Sequence, residues 1–276
     1  MNRIYVDAYK NYGLGHLIRS KAIAERFGKY KIEINKFLAK KADVSIVDSY
    51  CAKYFHYKKI STLSKVPLFI DDFNRIVYPK GILVNFSLNA KKIVKQKQTS
   101  NLLGIDYVPI RKEFLEVKKK PKHILIIIGG TDIKGLSSKI ENIAIPYPKL
   151  VVTANKEVAK QCRNVLFTPS VKELAEAFAN SIIAVSAAGM TLYELNYLQI
   201  PTIAIKVAKN QNGVYEFVKR GFIKDVFEYE DINLIEKIQK SLYWHLNNYD
   251  LALKYTRQLV DGFGIERIYQ KVMEKI

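Results

Sequence analysis

Short apolar runs alternate with helix-like patterns along the whole chain. Nine runs are rich in Val, Ile, Leu and Phe, and several are continuously apolar, which is typical of parallel strands covered on both faces. Between them, apolar residues recur at helical spacing, for example in VKELAEAFAN (171–180) and TLYELNYLQ (191–199). The predicted strands are RIYVD (3–7), DVSIVD (43–48), VPLFID (66–71), GILVNF (81–86), HILIIIGG (123–130), KLVVTA (149–154), NVLFT (164–168), SIIAVS (181–186) and PTIAIKV (201–207).

The alternation of strands and helices predicts an α/β fold with two Rossmann-like, doubly wound domains and an interdomain cleft. A polar, proline-containing segment, EVKKKPK (116–122), separates the two series of strands. We therefore place the domains at 1–118 and 119–276. The last amphipathic segment, 264–276, is predicted to be one helix that could pack back on either domain, including the N-terminal one. Ligands of such sheets bind at the carboxyl ends of the strands.

Length and composition limit the class of protein. The 276 residues suit one large or two medium domains, and no apolar run is long enough for a membrane span. The amino end lacks the apolar core of a signal peptide. Cys51 and Cys162 have neither metal-site nor disulfide-framework spacing. We expect a reduced, cytoplasmic, monomeric protein.

The positive charge is concentrated in the first half of the chain. The net charge is +19, and residues 1–122 hold 26 Lys/Arg against 10 Asp/Glu. A basic half can attract nucleic acid, anionic lipid or a phosphorylated substrate, and a solvated lysine-rich surface is an equal alternative. The lysine clusters lack zinc-finger and RNA-binding signatures, so no nucleic-acid partner is expected. Association with a membrane surface is left open by the charge but is not expected either.

The first candidate motif is GLGH (13–16), which follows the first strand and opens a helix. Gly13 and Gly15 permit a tight turn and a close approach of ligand to the backbone. The positive end of the helix dipole favours a neutral imidazole at His16, which can accept a proton. Arg19, one turn on, could meet phosphate or fix an acidic partner. The alternative is that His16 only caps the helix.

Two further motifs follow strands of the second half. IIIGGTDIKGLSSKI (126–140) resembles a phosphate-binding turn but lacks the lysine-serine pair of a P-loop. In the second motif, SIIAVSAAGMTLYELNYLQIPTIAI (181–205), a strand ends in small residues. Glu194 lies one turn inside the next helix, where its carboxylate could accept hydrogen bonds from ribose hydroxyls. Tight turns and a surface helix residue are the alternatives. The candidate ligand-binding residues of this half are Gly129, Gly130, Thr131, Asp132, Ser186, Ala187, Ala188, Gly189, Met190, Thr191, Glu194, Asn210 and Gln211.

Polar residues also stand at the carboxyl ends of first-half strands. They are Asp7, the DSY segment (48–50), the pair Asp71 and Asp72, and Asn85. Side chains at these ends face the ligand side of such a sheet. Either carboxylate of the pair could orient His16 or bind sugar hydroxyls; caps and turn residues are the alternative.

Seven motifs, taken in their order along the chain, resemble those of the PseG family. They are GLGHLIR, DSY, DD, VN, IGGTDIKGLS, SAAGMTLYELNYLQIP and KNQ. That family comprises the UDP-2,4-diacetamido-2,4,6-trideoxy-β-L-altropyranose hydrolases of pseudaminic acid biosynthesis. More widely, the second half is similar to MurG-type N-acetylglucosaminyltransferases, which have the GT-B fold. The resemblance covers nearly the whole chain.

The resemblance implies a role for each motif. The N-terminal domain would bind the sugar and carry the catalytic group, with His16 as base and with Asp7 and Tyr50 beside it. The C-terminal domain would bind UDP, with Glu194 on the ribose. Further substrate-binding residues would be Gly13, Gly15, Arg19, Asp71, Asp72 and Asn85. The family usually has Arg-X-Asp at the first strand; Tyr5-Val6-Asp7 departs from it, which bears on sugar specificity.

These expectations define one leading function and two alternatives. The leading function is hydrolysis of a UDP-sugar, in which water attacks the anomeric carbon with inversion and UDP leaves. This scheme needs no metal and no cofactor. The first alternative is a GT-B glycosyltransferase that uses a UDP-sugar donor and an acceptor hydroxyl. The second is a non-catalytic binder of nucleotide or nucleic acid, which would leave the placement of His16 unexplained.

Overall fold

The computed structural model describes residues 1–8, 14–97, 99–129, 132 and 134–276, with the side chain of Lys209 excepted. The strands are β1 (Asn2–Val6), β2 (Tyr30–Ile34), β3 (Ala42–Asp48), β4 (Ser64–Ile70), β5 (Gly81–Asn85), β6 (Thr99–Leu103), β7 (His123–Ile127), β8 (Lys149–Thr153), β9 (Val165–Phe167), β10 (Ser181–Ala187), β11 (Thr202–Lys206) and β12 (Asp225–Glu228). The helices are α1 (Gly15–Glu25), α2 (Tyr54–Leu63), α3 (Ala90–Ile93), α4 (Lys112–Glu116), α5 (Leu136–Glu141), α6 (Lys156–Gln161), α7 (Val171–Ala179), α8 (Thr191–Tyr197), α9 (Val214–Lys219), α10 (Leu234–Asn247), α11 (Tyr249–Leu253) and α12 (Gly264–Met273). Within these residues, no helix is both long and apolar enough to cross a membrane.

The chain divides into two compact units. The first comprises Met1–Arg111 and Asp261–Ile276, and the second comprises Lys112–Val260. α4 belongs to the second unit because Phe114 packs edge-on against Phe178 of α7, with ring centroids 5.2 Å apart. The division therefore falls a few residues before position 118.

The C-terminal helix α12 belongs to the first unit. Arg26, just after α1, donates from Nε to Glu266 Oε2 at 2.8 Å, and its guanidinium lies 3.9 Å from the ring centre of Tyr269. At the start of α12, a Cβ on Gly264 would lie 2.1 Å from the carbonyl oxygen of Val108. Only glycine allows the helix to approach the chain this closely at that point.

Each unit is built on a six-stranded parallel sheet. In the first unit the strand order is β2-β1-β3-β4-β5-β6, and in the second it is β12-β11-β10-β7-β8-β9. In each unit the first strand lies inside the sheet, and the chain winds to one side of it before crossing to the other. The winding direction changes between β1 and β3 in the first unit and between β7 and β10 in the second. These switch points are where open α/β sheets bind ligands.

The predicted doubly wound α/β class is confirmed, but three strands were missed. The missed strands, β2, β6 and β12, all stand at sheet edges. Their residues are mostly half-exposed, as in YKIEI of β2. These three strands are covered less completely, so they lack the continuous apolar pattern that identified the central strands and the edge strand β9.

Apolar side chains fill the space between each sheet and its helices. In the first unit, one cluster joins Tyr57 and Ile60 of α2 to Phe69 of β4 and Leu83 of β5. In the second unit, isoleucines of β7, β10 and β11 pack against α5 and α10. Buried sheets of this kind hold the strand ends, and the polar side chains on them, in fixed positions.

Candidate active site

Helix α1 carries the first candidate group. It begins at Gly15, and Gly13 lies outside the described residues. His16 and Arg19 are buried, as is Ser20. Residues three and four apart lie on one face of a helix, so these three side chains point the same way. They meet the carboxyl end of β3, the strand beside β1.

Asp48, the last residue of β3, is hydrogen-bonded by all three of these side chains. It is fully buried, and Oδ1 lies at short hydrogen-bond distance from His16 Nδ1. Arg19 donates to it from Nε at 2.5 Å and from Nη2 at 2.7 Å, and Ser20 Oγ lies 3.3 Å away. Burial alone would raise the pKa of Asp48, but the charge of Arg19 and the hydrogen bonds from Arg19 and His16 lower it to about 2.

The ionised carboxylate of Asp48 determines which tautomer His16 adopts. A carboxylate has no hydrogen to donate, so the hydrogen of this contact is on Nδ1 of the imidazole. The lone pair of the neutral ring is then on Nε2. Within the described part of the chain, Nε2 makes no hydrogen bond. His16 is thus arranged as a proton acceptor at Nε2, oriented by a carboxylate at Nδ1.

Arg19 is held by a second carboxylate. Nη1 and Nη2 donate to Asp72 at 3.0 Å each. Burial alone would lower the pKa of Arg19, but the charges of Asp48 and Asp72 raise it well above its ordinary value. The pair of carboxylates keeps this buried guanidinium charged and fixes its plane, as expected for a bidentate arginine.

Tyr50 closes the group on the side of Asp72. Its hydroxyl donates to Asp72 Oδ2 at 2.8 Å, and its ring meets the His16 ring edge-on, with centroids 4.4 Å apart. Burial and the neighbouring Asp72 carboxylate raise the pKa of Tyr50, so the hydroxyl stays protonated as a donor. The structure therefore brings together His16, Arg19, Asp72 and Tyr50 of the predicted residues, and adds Asp48.

The carboxylate on His16 was not the one expected. Asp7 instead accepts from the backbone N–H of Tyr50 at 2.6 Å and of Cys51 at 3.0 Å, and from Ser49 Oγ. It therefore shapes the loop that carries Tyr50. Asp71 accepts from the backbone N–H groups of residues 73 and 75 and from the hydroxyl of residue 78, which organises a turn. Among the described residues, Asp48 rather than Asp7, Asp71 or Asp72 bonds to His16, because β3 lies beside β1 and its end meets the start of α1.

Asn85 ends β5 and is fully buried. Its Oδ1 accepts from Ser87 N at 3.0 Å and from Ser87 Oγ at 2.5 Å, while Nδ2 has no hydrogen-bonding partner among the residues that the structure describes. No contact joins Asn85 to His16 among the described residues. It remains at the strand ends of the first sheet, as predicted, without joining the His16 group.

In the second unit, the turn after β7 is described in part. Gly129 has φ of +69°, a conformation that favours glycine, and Gly130 and Thr131 lie outside the described residues. Asp132 is buried and accepts from the N–H groups of Leu136 at 3.0 Å and Ser137 at 2.9 Å. It thereby caps α5, and its two oxygens occupy amides that a phosphate would otherwise use.

The turn after β10 lies on the other side of the second switch point. Ser186, Ala187 and Ala188 are buried, and the N–H groups of Ala188 and Gly189 are used by backbone carbonyls at 2.9 and 2.8 Å. The N–H groups of Met190 and Thr191, at the start of α8, have no acceptor in the described ranges.

Two further features describe this turn. A Cβ added to Gly189 would meet nothing within 4 Å. Glu194 is buried in the first turn of α8. Gly189 and Glu194 therefore lie where the sequence placed them, at the switch point between β7 and β10.

The segment after β11 is less directly placed. Asn210 is exposed in a single 3₁₀ turn (Lys209–Gln211). Gln211 accepts from the N–H of Val207 at 2.8 Å, so its side chain supports that turn. Among the described residues, no three His, Cys, Asp or Glu side chains lie close enough to hold a metal ion.

Known proteins resemble the chain in sequence over most of its length. It is 28% identical, over 238 residues, to the pseudaminic acid cytidylyltransferase and UDP-2,4-diacetamido-2,4,6-trideoxy-beta-L-altropyranose hydrolase of Helicobacter pylori. The match covers 76% of this chain and 45% of that protein. The chain spans about half the length of the first two curated relatives that it matches. No protein-family model matches it. The similarity confirms the resemblance that the motifs predicted.

Solved structures resemble the whole chain. MurG of Acinetobacter baumannii matches with a TM-score of 0.62 at 11% identity, over 99% of both chains. A UDP-GlcNAc 2-epimerase of Neisseria meningitidis, solved with UDP-GlcNAc, matches with a TM-score of 0.56 at 10% identity, over 99% of this chain and 100% of that one. The chain therefore has the GT-B fold of two Rossmann-like domains, and its sequence resembles a protein that is named in part as a UDP-sugar hydrolase.

Proposed function

We propose that the protein is a UDP-sugar hydrolase that releases UDP from UDP-2,4-diacetamido-2,4,6-trideoxy-β-L-altropyranose or a close relative, in pseudaminic acid biosynthesis. The observation that carries this proposal is the imidazole of His16. Its Nδ1 is held by the buried Asp48 carboxylate, so Nε2 is the proton acceptor. A nucleotide-binding protein without chemistry has no use for such an arrangement.

In the proposed reaction, His16 Nε2 takes a proton from water as the water oxygen bonds to the anomeric carbon. The bond from that carbon to the phosphate oxygen breaks, and UDP leaves with the electron pair. One displacement by one nucleophile inverts the anomeric configuration. The positive charge that develops on the His16 imidazole lies beside the Asp48 carboxylate, which stabilises it. Asp48 acts through His16 and is a positioning residue.

Arg19, Asp72 and Tyr50 keep the base in place. Arg19 links the two carboxylates, so neither can turn away without breaking two charge-assisted hydrogen bonds. The ring of Tyr50 limits the rotation of the imidazole through its edge-on contact. Preorganisation of this kind removes the cost of orienting the base during the reaction.

The second unit is proposed to bind UDP. Backbone N–H groups at the starts of helices favour phosphate, and those of Met190 and Thr191 have no acceptor in the part of the chain described. Glu194, in the same first turn, is proposed to accept the ribose hydroxyls. Asp132 is better explained as the cap of α5 than as a ligand-binding residue, because α5 uses both of its oxygens.

The comparisons support the UDP-sugar part of this proposal. The name of the Helicobacter pylori protein carries two activities, and the match covers less than half of that protein. Of these two activities, the UDP-sugar hydrolase fits this chain better than the cytidylyltransferase, because the GT-B fold also occurs in an enzyme solved with UDP-GlcNAc. The motifs around His16 and Glu194 point to the same activity.

The test is UDP release from the diacetamido UDP-sugar without any acceptor, followed by proton NMR. We expect the wild type to release UDP with the first-formed sugar inverted. His16→Gln should lower the rate by at least about 10²-fold, because glutamine cannot accept the proton. His56→Gln is the matched control: His56 lies in the same unit but caps α2 by accepting from Lys53 N at 3.0 Å, and its loss should leave the rate nearly unchanged.

Other results would redirect the proposal. Release that needs an added acceptor hydroxyl would identify a glycosyltransferase. Equal rates for wild type and His16→Gln would show that His16 is not the catalytic base and has only a structural role at the start of α1. Nucleotide binding without any turnover of UDP-sugars would favour a non-catalytic binder.

A further inference from the structure

Two adjoining segments of the first unit share an outer surface. The first is the loop between β2 and β3, and the second is helix α2. They adjoin because the rings of Phe37 and Phe55 both contact His56, with centroids 5.5 and 3.8 Å from it. Phe37 and Ala39 pack inward on the cluster beneath α2. We call the outward side chains Lys36, Leu38, Tyr54, Phe55, Lys58 and Lys59 the lysine–aromatic surface.

This surface exposes large apolar side chains. Leu38 is 71% exposed, Phe55 54% and Tyr54 48%. Leu38 alternates with the inward Phe37 and Ala39, so its outward position follows from the packing of its neighbours. Tyr54 and Phe55 of α2 are exposed, whereas Tyr57 and Ile60 of the same helix are fully buried. Apolar residues grouped on one outer surface usually mark an interaction site.

The same surface is positively charged, and three of its lysines have no carboxylate partner among the described residues. Residues 34–42 and 49–70 contain seven lysines and no Asp or Glu. Lys40 pairs with Glu33 and Lys65 with Asp43. In the described ranges, no carboxylate lies within ion-pair distance of Lys36, Lys58 or Lys59. Lys58 and Lys59 stand one helical turn beyond Tyr54 and Phe55, so charge and aromatic rings share one side of α2.

We propose that the lysine–aromatic surface docks the protein on an anionic lipid bilayer. A bilayer of this kind offers phosphate groups to the lysines and a hydrocarbon boundary to Leu38 and Phe55 at the same time. Nucleic acid would satisfy the lysines and stack on the aromatic rings, but it offers no apolar place for Leu38. Water alone would satisfy the lysines and leave the apolar side chains unexplained. The protein would lie on the membrane surface, and this inference does not depend on the proposed reaction.

The test is co-sedimentation of the full chain with two kinds of vesicle. One kind is pure phosphatidylcholine, and the other contains about one-third phosphatidylglycerol, which supplies the negative surface potential. We expect binding to the second kind only, reversed by raised salt. Lys58→Gln/Lys59→Gln should weaken it about 25-fold, since each lysine near an anionic surface is worth about fivefold. Leu38→Ser/Phe55→Ser should weaken it at least about tenfold.

Matched variants separate this surface from the general charge of the protein. Lys118→Gln/Lys120→Gln removes the same charge from exposed positions of the second unit, and Ile232→Ser replaces an apolar side chain that is 98% exposed. Both should change binding less than about twofold. Circular dichroism should show that all variants are folded.

Four results would overturn the proposal. They are absence of binding to anionic vesicles, equal binding to both kinds of vesicle, a control variant that weakens binding as much as Lys58→Gln/Lys59→Gln, and tighter binding of a short unrelated RNA that is lost in the same variants. The last would identify a nucleic-acid surface.

Discussion

Asp48→Asn is the substitution that most directly tests the buried charge network. It keeps the size of the side chain and removes its charge. Arg19 would then be paired with Asp72 alone, and His16 Nδ1 would face an amide. Because Asp48 is fully buried, water cannot replace the lost interaction.

Two routes give the size of the effect. The pKa of Asp48 is lowered from 3.8 to about 2, and a difference of that size between the folded and unfolded states corresponds to about 2 kcal/mol of the free energy of unfolding. Removing one partner of a buried ion pair costs about 3–5 kcal/mol in general. We therefore expect Asp48→Asn to lower the free energy of unfolding by about 2–4 kcal/mol at neutral pH.

The pH dependence has a definite sign. A carboxylate whose pKa is depressed on folding stabilises the protein above its unfolded pKa and stops doing so as the pH falls through the folded value. The difference between wild type and Asp48→Asn should thus be full at pH 7 and shrink between about pH 4 and pH 2. Urea unfolding, followed by hydrogen exchange of peptides from the first unit, measures it; Trp244, the single tryptophan, lies in the second unit.

Asp43→Asn is the matched control. The pKa of Asp43 is also lowered to about 2, by Lys65 and the amino terminus, but its side chain is 40% exposed. Solvent screens such pairs, so its loss should change stability little. If Asp48→Asn destabilised the first unit no more than Asp43→Asn does, the buried network would not contribute as argued here.

Three further predictions concern the site. Gly189→Val should leave the free energy of unfolding nearly unchanged, because a Cβ at position 189 meets no neighbour within 4 Å. If phosphate approaches this turn, the same substitution should weaken UDP binding at least about tenfold, as measured by calorimetry. Glu194→Gln should also weaken UDP binding, whereas Glu236→Gln, an exposed carboxylate in the first turn of α10, should not. Arg75→Met removes the hydrogen bonds that Arg75 donates to the backbone carbonyls of Ser49 and Ala52, which hold the loop of Tyr50 in place. We therefore expect kcat to fall by a larger factor than KM rises. Equal effects on kcat and KM would contradict this positioning role.

Much of the local structure was predictable from the sequence. The central strands are continuous apolar runs because helices cover both faces of each sheet, and the glycine turns after them mark the strand ends. The spacing of His16 and Arg19 placed them on one face of α1. The polar residues at the ends of β1, β3, β4 and β5 were found for the same reason. Three edge strands, β2, β6 and β12, escaped because their half-exposed residues include polar ones, whereas the edge strand β9 was found from its apolar residues.

The partners of these residues were decided by the tertiary structure alone. His16 and Asp48 are 32 positions apart, and only the order β2-β1-β3-β4 brings β3 beside the start of α1. Local periodicity determines which face of an element is buried, but it does not determine which strand lies next to which. The same limit explains Asp7, whose carboxylate accepts hydrogen bonds from backbone amides of the distant loop after β3. The sequence by itself determined the elements and their chemistry; the order of the strands decided which charges meet, because parallel neighbours are set by crossovers that leave no local pattern.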